Sequence, residues 1–368
     1  MMFDRRLLQN FDWILLLLLI LIGAMSIMNL YSATFPIQDA GGSQIFKKQI
    51  YWFLIGFVAL LIMTTFDYHV LERLAYPLYF FSLTLLGLVL VIGRVTSGSQ
   101  RWLSFGGINF QPSEFAKIAL VIVLAKYFVE HGEYTEYRLR DLWKPFILIL
   151  VPFILIVKEP DLGSALILVI ISFSIILFMK VKWRSLVILI VVSLSSAPFI
   201  WFTLKEYQQT RILTFLKPDT DPLGAGYHII QSKIAIGSGL LWGRGFLKGT
   251  QTRLKFLPEQ HSDFAFSVLA EEWGFAGSVF LLILYFFLIL WGINIAKNSK
   301  DKFGAILAIG LIAIVFWQLV INVSMAIGLL PVVGIPLVLF SYGGSSIVST
   351  MSGMGLLMNI SIRRFMFQ

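Results

Sequence analysis

Long apolar runs separated by short polar breaks dominate this chain. A helix that crosses the hydrocarbon core of a bilayer needs ~20 mostly apolar residues. Ten stretches approach that requirement: 11–32, 49–66, 74–93, 113–130, 144–158, 161–179, 185–204, 264–297, 303–328 and 345–362. The pattern predicts an all-α polytopic membrane protein of ten transmembrane helices. It reads as one domain over 1–368, with a large loop over 205–263 between helices 7 and 8. The fifth stretch is short and ends at Glu159-Pro160, where proline cannot continue a helix cheaply. The eighth is too long for one span. Its first part, Phe264 to Gly274, carries Glu271 and Glu272 and is expected to lie at the interface or dip into it. Within the long loop, the segment from Tyr227 to Phe246 mixes apolar residues with Gln231, Lys233 and Arg244. That mixture suits an amphipathic interfacial helix followed by a glycine-rich turn.

Composition agrees with the pattern. The chain of 368 residues is 58% hydrophobic and 13% charged, against about 25% charged in a soluble domain. Mean hydropathy is +0.85. There is no cysteine, so neither a disulfide nor a thiolate metal site is available. His69, His131, His228 and His261 are too scattered to suggest a dedicated zinc site. The first apolar run follows Arg5 and Arg6 and lacks a small-residue cleavage site, so it reads as a retained helix.

The basic residues set an orientation. Arg5, Arg6, Arg73, Arg138, Arg140, Lys144, Lys180, Lys182, Arg184, Lys297, Lys300, Lys302, Arg363 and Arg364 fall in alternate connections. The intervening short connections hold only Lys47, Lys48, Arg94, Arg101 and Lys158. The cytoplasmic side carries the excess, so both termini are expected inside and the long loop outside. The net charge of +9 then reflects membrane lipid headgroups, and nucleic acid is excluded as a partner.

Four outer segments are more polar than connections require. The first is Arg101-Trp102, followed by Gln111-Pro112-Ser113-Glu114 and Lys117. Ser113 can cap the fourth helix behind proline. Glu114 and Lys117, spaced i, i+3, share a helical face and can pair. A packing pair and a substrate contact are equally good readings of them. The second is Glu159-Pro160-Asp161-Leu162-Gly163-Ser164, where Asp161 suits a helix cap beside Lys158 and Glu159. The third is Glu259-Gln260-His261-Ser262-Asp263. Asp263 alone could cap the next helix, but one cap does not explain so many polar neighbours. The fourth runs from Gly328 to Pro336 and on through Ser341-Tyr342-Gly343-Gly344-Ser345-Ser346. Irregular backbone at membrane depth is tolerated only where it is buried in protein or lines a cavity. The helix start at Gly344 and Ser345 offers free N–H groups suited to a phosphate. Carboxylates, cations and a helix N-terminus above an apolar bundle fit an anionic, lipid-linked substrate.

These stretches resemble the SEDS family (shape, elongation, division and sporulation). The matching residues are Gln111-Pro112-Ser113-Glu114, Glu159 to Ser164, Phe256-Leu257-Pro258 through Phe264, and Gly334-Ile335-Pro336 through Ser346, in family order. The short Asp4-Arg5-Arg6 lead-in is more like the elongation members than the division members. Ser262 stands where threonine is commoner, which keeps a hydroxyl. Val338 stands where proline is common, which bears only on local loop shape. The resemblance implies a peptidoglycan glycosyltransferase of the bacterial cytoplasmic membrane that polymerises lipid II on the outer face. It implies Asp263 as the essential catalytic residue. It also implies work beside a class B penicillin-binding protein, the transpeptidase, within the elongation machinery.

The chemistry of that reaction assigns expected roles. Asp263 would take the proton of the acceptor 4-hydroxyl. The leaving diphosphate is already a stable anion and needs charge neutralisation, not a second carboxyl acid. Arg101, Lys117, Arg211, Lys233, Arg244 and the dipole at Gly344 are candidates for it, with a divalent cation, magnesium or manganese, as a further one. Trp102, Gln111, Glu114, Asp161, Glu259, Gln260, His261, Ser262 and Ser345 complete the expected substrate surface. The alternative is a lipid II flippase, which needs a polar path open in turn to both faces. Asp67, His69 and Glu72 are the polar cluster available to it on the inner side. A non-enzymatic scaffold would tolerate single polar substitutions in the outer loop.

Overall fold

Apolar runs become helices, and the polar breaks become their caps and joints. The computed structural model describes residues 11–96, 99–105, 108–131, 136–203, 205–217 and 224–364. The Asp4-Arg5-Arg6 lead-in lies outside them. The helices are α1 (Trp13–Thr34), α2 (Gly42–Thr65), the short α3 (Tyr68–Arg73), α4 (Ala75–Ile92), α5 (Pro112–Glu130), α6 (Trp143–Lys158), α7 (Leu162–Phe178), α8 (Trp183–Thr203), α9 (Glu206–Leu216), α10 (Ala225–Ser238), the one-turn α11 (Thr250–Arg253), α12 (Ala265–Lys297), α13 (Lys302–Ala326) and α14 (Gly344–Arg363).

Among the described residues ten helices have at least 16 residues, and they overlie the ten apolar stretches. Six of them are long and apolar enough to cross a membrane: α1, α2, α4, α12, α13 and α14. The other four fall short for physical reasons. α5 carries Glu114, Lys117, Lys126 and Glu130. α6, at 16 residues, extends about 24 Å against a hydrocarbon core of about 30 Å. α7 and the Trp183–Val192 part of α8 are apolar but shorter.

Aspartates supply four of the helix starts, among them that of α3, where Asp67 accepts from the His69 N–H at 3.0 Å. Asp12 accepts from the Leu15 N–H at 3.1 Å, Asp161 from Ser164 at 3.1 Å and Asp301 from Gly304 at 2.8 Å. Each satisfies an N–H that the helix leaves open. Ser113 does not cap α5 as its sequence suggested. Pro112 occupies the first helical position, so Gln111 is the N-cap and Ser113 falls inside the first turn. Its buried hydroxyl has no partner.

Between α4 and α5 the chain forms a three-stranded antiparallel sheet, β1 (Arg94–Thr96), β2 (Ser99–Phe105) and β3 (Ile108–Phe110). Its register pairs Arg94 with Trp102 and Leu103 with Phe110. The long apolar signal on either side gives no hint of this sheet.

α12 is interrupted at Gly274, whose φ of 65° lies in the left-handed region that glycine tolerates. The break frees backbone groups, and the turn after α10 takes them up. Arg244 and Gly245 donate to the carbonyls of Glu271 and Glu272, both at 3.0 Å. Phe275 and Ala276 donate to Leu240 at 2.8 Å and Leu241 at 3.0 Å. The Glu271 carboxylate caps α11 through the N–H groups of Gln251 (2.8 Å) and Thr252 (3.3 Å). Ser32 donates to Glu272 at 2.5 Å. The two glutamates are thus buried joints of the fold. The part of α12 before the break is closed over by protein.

The core is one apolar cluster that includes Leu15, Leu60, Phe128, Leu168, Leu307 and Leu357 from α1, α2, α5, α7, α13 and α14. The connections gather at two ends of this bundle. One end holds the sheet, the α6–α7 corner, the described parts of the 205–264 segment and the irregular 327–343 segment. The other holds α3 and the ends of α13 and α14.

Candidate active site

The irregular segments converge on a cavity of about 730 Å³ at the first of these ends. Its wall takes Arg101 and Trp102 from β2, Gln111, Glu114 and Lys117 from the start of α5, Arg211 from α9, and Glu259, Ser262 and Asp263 from the strap before α12. Gly334, Ile335 and Pro336 close one side, and Gly343 and Ser346 at the start of α14 another.

Asp263 is held by its backbone. Asn322 on α13 donates from Nδ2 to the Asp263 carbonyl at 3.0 Å and to the Ile335 carbonyl at 2.8 Å. The neighbours of Asp263 are tied as well. Ser341 donates to the Ser262 carbonyl at 2.5 Å, and the Tyr342 N–H to that of His261 at 2.9 Å. Asp263 does not cap α12. Phe264 is the N-cap, and no side chain caps that helix. The carboxylate instead faces the left-handed turn at Gly334, where an added Cβ would lie 3.5 Å from Oδ2. Burial, then the Glu259 carboxylate, push the Asp263 pKa up against the pull of Arg101 and Arg211, to about 6.

The cations are tethered. Arg101 lies 3.7 Å from Asp161 and donates to the Pro160 carbonyl at 3.2 Å. Gln111 donates to Asp161 at 3.4 Å. Asp161 is therefore both a helix cap and the anchor that aims Arg101, set behind the wall. Lys117 and Glu114 pair at 2.7 Å, fully buried, while lining the cavity. The packing role and the cavity role of that pair coincide. Glu159 is 1% exposed with both carboxylate oxygens unpartnered. Burial, then the nearby Asp161, push its pKa up to about 9 against the pull of Arg101.

Several expected contacts lie elsewhere. Lys233 sits over Gly328 at the end of α13, where its Cε would collide with an added Cβ. A helix C-terminus attracts a cation, and α10 turns Lys233 that way. Arg244 donates to the Ser238 carbonyl at 3.3 Å and to Thr250 at 2.8 Å, because its turn is stitched to the broken α12. Gln260 donates to the Ala33 carbonyl at 2.7 Å, pinning the strap to α1. His261 stands 3.8 Å from Glu259 and beside the Tyr342 ring, off the cavity wall, and burial lowers its pKa. Gly344 packs on the Trp52 ring. Ser345 accepts from the Gln111 N–H at 3.1 Å and donates to the Asn109 carbonyl at 3.2 Å. Their neighbours Gly343 and Ser346 reach the cavity in their place.

Thr210, His228 and Gln318 on the wall and Asn322 behind it were not among the expected residues, while Ser164 and Tyr342 stood in the polar segments without an assigned role. Gln318 and Asn322 carried a usable signal: polar residues inside an otherwise apolar span are functional candidates by default. Among the described residues no three acidic, histidine or cysteine side chains converge to hold a metal ion.

The profile of the cell cycle protein family that groups FtsW, RodA and SpoVE matches residues 9–365. The chain belongs to this family. The SEDS members that it resembles include the peptidoglycan glycosyltransferase MrdB of Escherichia coli K12. That protein is 39% identical over 358 residues, 97% of this chain and 95% of MrdB. A solved chain from a peptidoglycan synthase complex that coordinates polymerization and crosslinking superposes with a TM-score of 0.83 at 35% identity, covering 96% of this chain and 98% of that one. The rod shape determining protein RodA of Thermus thermophilus superposes with a TM-score of 0.72 at 31% identity, covering 96% and 98%.

Proposed function

We propose that this SEDS protein is the peptidoglycan glycosyltransferase of cell elongation, polymerising lipid II into β-1,4 glycan strands. One observation carries the reading: Asp263, with a pKa raised to about 6, shares a cavity wall with Arg101, Lys117 and Arg211. Asp263 is the general base. It takes the proton of the acceptor 4-hydroxyl as that oxygen bonds to the anomeric carbon of the lipid-linked donor. The bond from that carbon to the diphosphate oxygen breaks, its electrons leave with undecaprenyl diphosphate, and the anomeric centre inverts. A base whose pKa lies just below neutrality is ionised at working pH yet basic enough to accept the proton.

The leaving group needs cations already aimed at its charge. Arg101 and Arg211 supply them, with the start of α14 at Gly343. Lys117 adds less, since Glu114 already neutralises it. No step passes through a metal ion.

Ten spans with both termini in the cytoplasm complete the reading, with the cavity on the outer face of the bacterial cytoplasmic membrane. The lysine and arginine bias of the connections supports that topology. The partner is a class B penicillin-binding protein, a reading supported by the likeness to a chain of a synthase complex. A flippase gains nothing from the inner polar cluster. Asp67 and His69 are engaged with Arg363 and Asp301 at that end.

The experiment is polymerisation of lipid II by purified protein. Asp263→Asn should remain folded and lose on the order of 100- to 10,000-fold in rate. Wild-type turnover by that variant would remove Asp263 from the reaction.

A further inference from the structure

α13 is apolar along most of its length, yet Gln318 and Asn322 stand four residues apart on it, so they share one face. Asn322 is committed to the backbone, as its two donated hydrogen bonds describe. Gln318 is not. It is 1% exposed, it lines the same cavity as Asp263, and its Oε1 has no hydrogen-bond partner. A buried carbonyl without a donor is costly, and native proteins rarely leave one so unless a water or a ligand supplies the donor. The position is on a packed helix, so the amide is rigidly presented.

Its surroundings restrict what the ligand group can be. The ionic pair nearby, Glu114 with Lys117, is satisfied internally at 2.7 Å. Ile167 and Ile335 give the same cavity apolar surface. A carboxamide offers one acceptor and an N–H donor side by side. The matching group is another amide, with one N–H, one carbonyl and a small apolar end.

We infer that Gln318 is the subsite for an acetamido group of the acceptor sugar. Oε1 accepts the acetamido N–H and Nε2 donates to its carbonyl, with the methyl against the isoleucines. The register is consistent. Asn322 holds Asp263, and Gln318 lies four residues, about 6 Å, away along the helix axis. A sugar with its 4-hydroxyl at Asp263 spans such a step with its ring and carries the acetamido group two carbons away. The inference rests on the reading of Asp263 as the base for that hydroxyl.

The test measures kcat/KM of the full-length protein on lipid II and on an analogue. The analogue carries hydroxyl in place of acetamido on the sugar that bears the free 4-hydroxyl. Wild type should prefer lipid II by on the order of 10- to 100-fold. Gln318→Met should use lipid II less well by a similar factor and show almost no preference. A purely structural glutamine predicts equal losses on both substrates, and an unchanged preference ratio in Gln318→Met overturns the inference. Absence of any preference in wild type overturns it too. If Gln318→Met does not fold, Gln318→Glu of like size serves, since it loses the donor; there too a reduced ratio supports the subsite and an unchanged one refutes it. Failure of the base reading shows separately, as turnover by Asp263→Asn, and leaves the ratio readable.

Discussion

The two ends of the bundle hold similar side chains and use them differently. At the end away from the cavity, ionisable groups answer one another. Asp67 meets His69 at 2.8 Å and Arg363 at 3.4 Å, His69 reaches Asp301 at 3.5 Å, and Tyr68 donates to Asp301. Arg363 is further fixed by Asn359 at 2.8 Å. These contacts lock α3 to the ends of α13 and α14. At the cavity end the groups are buried more deeply and answered less fully. Both oxygens of Glu159, the Oε1 of Gln318 and the hydroxyl of Ser113 have no partner. The carboxylate of Asp263 faces the void. Buried polar groups without partners are expensive; Glu159 and Ser113 lie behind the wall, whereas Gln318 and Asp263 line the cavity, where a ligand can supply what they lack.

The comparison can be broken by substitution. The largest expected stability effect is at the cavity end. Lys117→Ala strands the buried Glu114 charge and should cost about 3–5 kcal/mol. Replacing both members by leucine should recover most of that stability while leaving lipid II polymerisation impaired. Denaturation in detergent beside the activity assay reads both. Recovery of activity along with stability would make the pair a packing device alone.

Glu159→Gln has a smaller effect of the opposite sign. The folded protein holds a proton on Glu159 up to about 9, whereas the ordinary value is 4.5. As pH rises between those values the unfolded chain releases the proton first, so the wild type loses stability through that window. The glutamine variant has no such loss. Its unfolding midpoint should match the wild type near pH 4.5 and exceed it by a few degrees at about pH 8. A midpoint difference that does not change with pH would mean that Glu159 is already ionised in the fold.

The smallest effect is at the opposite end. Arg363→Ala removes a half-exposed contact to Asp67 and should cost roughly 0.5–1 kcal/mol. Polymerisation should stay within about twofold of wild type. A large loss of activity there would erase the contrast between the two ends.

Much of the architecture was legible in local signals. The apolar runs mark the ten long helices, Pro112 marks the start of α5, Asp161 caps α7, and the glutamates before Gly274 mark a segment unlike the span that follows. Asp263, Arg101 and Gln111 were legible because polar residues cluster without a structural need. Lys233 and Arg244 lie off the cavity wall, because charge alone does not say which way a loop turns. For Arg244 that direction is set by the break at Gly274, where the freed carbonyls of Glu271 and Glu272 capture the 243–245 turn, a contact between residues nearly thirty apart. Gln318 and Asn322 were flagged only by being amides in a strongly apolar helix, a signal that names no partner. Their meaning comes from what faces them.

The most direct test of the account is the pH dependence of kcat/KM for lipid II. A single base at Asp263 predicts a rate that climbs about tenfold per pH unit at low pH and levels off above about 6. A rate that stays flat through that region, with the protein folded throughout, would contradict it.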